Sequence, residues 1–219
     1  MLRLLATLLL LLCLPARAQV LDLRSAEGML VAMDHAATHG LPPERYGRAA
    51  LAVALERNDL ATAAPLAEAG FRRLAADLMA GAAPAAARRA WHVPAPIVSA
   101  GVIDAAVARV LASGDAERVL KTLAPQHPHY HALRRALASE LQGPGARRDV
   151  ILASLERWRW LPRELARRHL WVNVPAFEAR LIEPDGAAYV HRVIVGKRRT
   201  PTPQFAAMVS GVILNPEWV

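Results

Sequence analysis

With 219 residues and 54% hydrophobic content, the chain has enough material for one or two modest domains with real cores, which excludes intrinsic disorder. The formal charge is +8, but the positive residues are almost all arginines dispersed among Ala, Leu and Pro. A nucleic-acid footprint would gather them on one face, so composition points to no nucleic-acid partner.

The first residues, MLRLLATLLLLLCLPARAQV, hold Arg3, an apolar run from Leu4 to Leu14, Pro15, and the small-x-small triplet Ala16-Arg17-Ala18. This pattern predicts a secretory signal peptide over residues 1–18. The run is too short to span a bilayer comfortably, so an anchor would arise only if cleavage failed. Cys13 is the only cysteine, and Leu12 before it is not the small residue that lipidation wants. Cleavage after Ala18 removes that thiol and, with Arg3 and Arg17, lowers the charge by two. The expected product is a disulfide-free, cationic periplasmic protein suited to anionic wall polymers or lipid headgroups.

From Asp22 to about Leu141 apolar residues recur at spacings of three and four, which predicts a bundle of five or six short helices within residues 19–142. Ala67, Phe71, Leu74 and Leu78 share one face; Ile103, Val107, Val110 and Leu111 share another. Ser113-Gly114-Asp115 breaks one helix and caps the next, which carries Val119, Leu120 and Leu123. The PPE at 42–44 and PAP at 94–96 mark two more boundaries, since proline is tolerated in a first turn and not in a helix interior.

His35 and His39 lie four apart, as two metal ligands would, but no third ligand completes a set, so both are expected at the surface and no metal is predicted. In HPHYH (127–131), Pro128 starts a helix and leaves the histidines around its cap. Arg88-Arg89, Arg134-Arg135 and Arg147-Arg148 read as solvated faces. Gly196-Lys197 lacks the other residues of a phosphate loop, and no cofactor is expected.

Residues 143–168 read as a linker and connecting helix. Gly143-Pro144-Gly145 is a turn, and VILASLERWRWLPREL forms an amphipathic helix in which Ile151, Leu155 and Trp158 share a face and Pro162 ends the run. Trp158 and Trp160, two apart, point to different sides, so they cannot form one stacking platform and are expected to pack against two different neighbours.

Past His169 the period becomes two. WVNVPAF and FEARLIE read as strands, PDG at 184–186 as a tight turn, AAYVHRVIVG as the returning strand, and MVSGVIL as one more. The predicted class is therefore α+β: an all-α bundle, then over residues 169–219 the opening of a mainly-β domain. Three or four strands with no covering helix rarely fold alone.

ERWRWLP, VNVPAFEARL, VGK with Thr200-Pro201-Thr202-Pro203, and NPEW together resemble the scaffold-containing L,D-transpeptidases of bacterial cell walls, whose catalytic domain is of the YkuD type. HGLPPERY, LAADLMAG and LAPQHPHYHALRRAL are similar to that family's helical scaffold domain. The resemblance spans nearly the whole chain after the signal. It implies an envelope enzyme that cross-links peptidoglycan stem peptides through a cysteine acyl-enzyme. It also implies that Asn215 and Trp218 line the substrate cleft, and that other cell-wall synthases, membrane or wall are further partners.

Two features depart from the family pattern. Only about fifteen residues separate Leu141 from Glu156, so the peptidoglycan-binding module often found there is absent. The family nucleophile lies in a Ser-His-Gly-Cys-x-Arg type segment downstream of NPEW, which the sequence through Val219 does not contain. Thioester chemistry needs a thiolate, a histidine and oxyanion donors, and no serine here sits in a nucleophile elbow. The expectation is a truncated catalytic domain with no catalytic residue and no activity of its own. The alternative is a noncatalytic envelope protein that uses the scaffold to dock on wall polymer or on another synthase.

Overall fold

The computed structural model describes residues 21–140 and 145–214. The predicted signal peptide, the Gly143-Pro144 turn, and both expected cleft residues, Asn215 and Trp218, lie outside the described residues. No described helix is long and apolar enough to cross a membrane.

The fold is α+β. Its helical part contains α1 (Leu23–Asp34), α2 (Arg48–Glu56), α3 (Leu60–Ala80), α4 (Ala100–Ser113), α5 (Ala116–Leu123) and α6 (Pro128–Ser139). Helix starts follow from local chemistry, because a short polar side chain at the cap satisfies an amide that the helix cannot. Asp22 accepts from the Ser25 amide at 2.8 Å, Asp59 from Thr62 at 3.1 Å, and Asp115 from Arg118 at 2.9 Å. Pro128 occupies the first turn of α6, with His127 as its cap.

The longest helix, α3, carries 21 residues and is central to the core. Its Ala67, Phe71, Leu74 and Leu78 are buried, as their spacing predicts, and pack with Met29 and Met33 of α1, Leu51 of α2 and Val110 of α4. At Gly70 a Cβ would collide with the Tyr46 carbonyl and the Met33 side chain, so glycine is what permits this close approach. Pro65 stands inside α3, against the expectation that prolines mark boundaries. It omits one rung of the ladder in a helix held by burial on both sides of it.

After the bundle, α7 (Ala146–Trp160) starts four residues before the predicted Val150 and stops, as Pro162 led one to expect, where Leu161 before it turns extended. Three antiparallel strands follow, β2 (His169–Asn173), β3 (Glu178–Ile182) and β4 (Ala188–Arg192), in the order β2-β3-β4. Register pairs Trp171 with Arg180 and Arg180 with Val190. The short β1 (Trp91–His92), between α3 and α4, pairs in parallel with β5 (Gln204–Phe205), which ties the last described segment back to the bundle.

Three strand expectations need correction. WVNVPAF is strand only to Asn173; Val174–Ala176 form a 3-10 turn whose first amide pairing is made by the Asn173 side chain, and Phe177 takes a left-handed φ of 57°. The strand expected over 187–196 ends at Arg192. MVSGVIL forms no strand at all. An alternating apolar pattern becomes a strand only with a ladder partner, and among the described residues none lies alongside it.

Candidate functional site

The motifs that stood apart in the sequence meet at one end of the bundle. Helix α7 delivers three side chains of ERWRW into it. Arg159, only 1% exposed, reaches Glu156 on the preceding turn at 2.6 Å and donates to the His39 carbonyl at 2.9 Å. Glu156 in turn accepts from the Trp160 indole at 2.9 Å and from the Ala83 amide at 2.7 Å. Burial opposes ionisation of Glu156, but Arg159, the Ala83 amide and the Trp160 indole together hold its carboxyl below the usual range.

HGLPPERY joins from the other side. Arg45 donates to Asp77 at 2.7 Å, Tyr46 donates to the same oxygen at 3.1 Å, and Arg45 reaches the Ala82 carbonyl. Burial and the Asp77 carboxylate push the Tyr46 phenol up, so it stays a donor. LAADLMAG supplies Asp77 and Gly81. At Gly81 φ is +88°, and a Cβ would collide with the Glu156 carboxylate and the Trp160 indole. Arg163, from the PREL segment, donates to the Leu78 and Met79 carbonyls at 2.8 and 2.7 Å, satisfying the C-terminal end of α3.

HPHYH contributes Tyr130, whose hydroxyl lies 2.8 Å from His39 Nδ1 and 3.5 Å from Arg159 Nη1. His39 is 8% exposed, which corrects the surface placement expected of it; His35 is exposed and pairs with Glu117 at 3.1 Å. Burial, reinforced by Arg134 and Arg159, holds the His39 ring down to about 3, so it is neutral. The direction of the hydrogen bond between His39 Nδ1 and the Tyr130 hydroxyl follows the tautomer of the neutral ring.

Trp158, on the opposite side of α7 from Trp160, stacks with His127 (4.4 Å between centroids, 22°) and with Trp171 of β2 (5.4 Å, 12°). Trp160 meets Trp91 edge-on at 5.4 Å and carries the Arg88 guanidinium 4.9 Å above its ring. The two tryptophans thus pack against two different neighbours, one joining bundle to sheet and the other lining the bundle's end. Arg88 was expected on a solvated face; its stem is instead drawn over the indole.

Chemically this end of the bundle is a lock. Its carboxylates are all paired with donors, and among the described residues there is no cysteine and no group of three or more His, Cys, Asp or Glu that could hold a metal. Sequence reasoning missed His39, Asp77 and Tyr130 as its members, because nothing in their spacing shows that residues 91 positions apart share a hydrogen bond.

No curated protein and no solved structure matches the chain. The family model described as Scaffold domain matches residues 21–137, just over half of the sequence. That span starts at the residue before the α1 cap and stops within α6, so it takes in six helices and three of the four motifs that build the lock. The chain accordingly belongs to the scaffold-domain family.

Proposed function

We propose that the chain serves peptidoglycan cross-linking as the scaffold of an L,D-transpeptidase, in the periplasm, with residues 169–219 forming the first strands of its catalytic domain. The observation that carries this reading is the convergence of HGLPPERY, LAADLMAG, HPHYH and ERWRW on one lock. A chain that merely shared helical composition would have no reason to bring those four together. In this role the lock fixes the direction in which α7 leaves the bundle, and the Trp158–Trp171 stack fixes the first strand against it. In this reading Asn215 and Trp218 are the substrate-binding residues, and acyl transfer belongs to a cysteine outside the residues given, because Cys13 falls within the proposed signal peptide.

Reading the coding frame beyond the codon for Val219 tests this directly. A His-Gly-Cys-x-Arg type segment in frame is the expected result, and protein expressed with it should convert tetrapeptide stems into cross-linked dimers. A stop codon at that point, or an extended protein inert on stems, would overturn the enzyme reading. It would favour the noncatalytic one, in which the charge of +6 left after the signal's two arginines are removed from +8 holds the scaffold to anionic wall polymer and purified wall binds it in a salt-sensitive manner.

A further inference from the structure

Next to the lock, and sharing His39 with it, α1, the turn at 35–39, α3, α5 and α6 line a pocket of about 170 Å³. Leu74, Leu78 and Leu120 form its apolar floor, and His39 with Lys121, Arg134 and Glu117 supply its polar wall. Cavities of ~150 Å³ accept a benzene-sized body, so the space suits a small organic group. The side chains of His35 and Lys121 are more than half exposed, which places the mouth at the surface.

The hydrogen-bonding capacity of that wall is one-sided. Glu117 is already committed, with one oxygen on Lys121 at 2.8 Å and the other on His35 at 3.1 Å. Arg134 spends its Nε and Nη2 on the Thr38 carbonyl and hydroxyl, which leaves Nη1. Lys121 has three N–H donors and gives one to Glu117. His39 has Nδ1 engaged by Tyr130 and lines the wall beside them. What remains is donors on two cations, Lys121 and Arg134, above a leucine floor.

We propose that this pocket binds a carboxylate carried on a short aliphatic body. The carboxylate accepts from Lys121 and Arg134, and the aliphatic part lies on Leu74, Leu78 and Leu120. A phosphate would leave the floor unused, and a cation would face the positive charges of Lys121 and Arg134. The same chemistry is offered by a free small acid and by the C-terminal end of a peptide. This site stands independently of the transpeptidase reading.

The test is a titration of the full chain followed by backbone amide shifts at Ala36, Thr38 and Leu120, using N-acetylalanine, its carboxamide, and butyrate. Saturable shifts with an acid, at the millimolar affinity such a small body can reach, and none with the carboxamide, are expected. Tighter binding of N-acetylalanine assigns the peptide end and tighter binding of butyrate the free acid; either supports the site. Lys121→Glu should weaken the acids about tenfold or more, the worth of a charge-assisted hydrogen bond. Lys121→Met, which only removes the charge, gives the same direction should the reversal disturb folding. No saturable shift with either acid, equal binding of the carboxamide, or unchanged binding in the Met variant with its unfolding curve intact would overturn the proposal.

Discussion

The bundle and the sheet are written in similarly apolar residues, and they treat them in opposite ways. In the bundle Phe71 and Leu74 are fully buried, and polar groups that enter are paired, as Arg159 is with Glu156. In the sheet every residue of β4 is exposed, Val190 to 50%, and Ile213 beyond it to 80%. Burial is thus a property of neighbours: α3 has helices around it, whereas among the described residues no element covers β4. The bundle should accordingly be sensitive to single changes and the sheet tolerant of them.

Phe71→Ala should break the bundle most, removing about 4 kcal/mol because a full ring leaves a cavity, while Val190→Ala should stay within about 0.5 kcal/mol. Urea unfolding followed by helical circular dichroism measures both, and equal costs would erase the contrast. Arg159→Met should cost about 3 kcal/mol, since Glu156, largely buried, would keep only the more distant Arg88 at 3.9 Å as a cation. The same unfolding experiment checks it, and the loss should shrink when Glu156→Gln is combined with it.

Acid should act next. The unfolded chain protonates the His39 ring near the ordinary 6.5, whereas the folded ring resists until about 3. The unfolded state therefore binds more protons in that window, so stability is full above 6.5 and declines as pH falls toward 3. A loss of about 2 kcal/mol is expected by about pH 5, and His39→Gln should flatten that slope. The smallest effect should come from Trp171→Ala, which removes a stack worth about 1 kcal/mol. Hydrogen exchange should then quicken in β2 and β3 with the protection of α3 unchanged; loss of protection across α3 would show that the two regions are one cooperative unit.

Much of the architecture was legible in advance. The α3 and α4 faces, the Asp115 and Pro128 helix starts, the end of α7 at Pro162 and the turn at 184–186 all follow from signals confined to a few residues. The outcomes that were not legible share a cause. His39 looked like a surface residue because its burial is created by Tyr130, 91 positions away, and Arg88 looked solvated because Trp160 is 72 positions on. MVSGVIL looked like a strand because alternation records a tendency that only a neighbouring ladder can realise.

The sequence by itself therefore determined the α+β order of elements, the helix starts at Asp115 and Pro128, and which faces of α3 and α4 are apolar, because periodicity, caps and proline geometry act within a turn or two. Only the tertiary structure decided that four separate motifs form one lock, that His39 is buried and neutral, and that the sheet's apolar residues stand in the open. Those properties depend on which distant groups share a low-dielectric space, and no local rule contains that information.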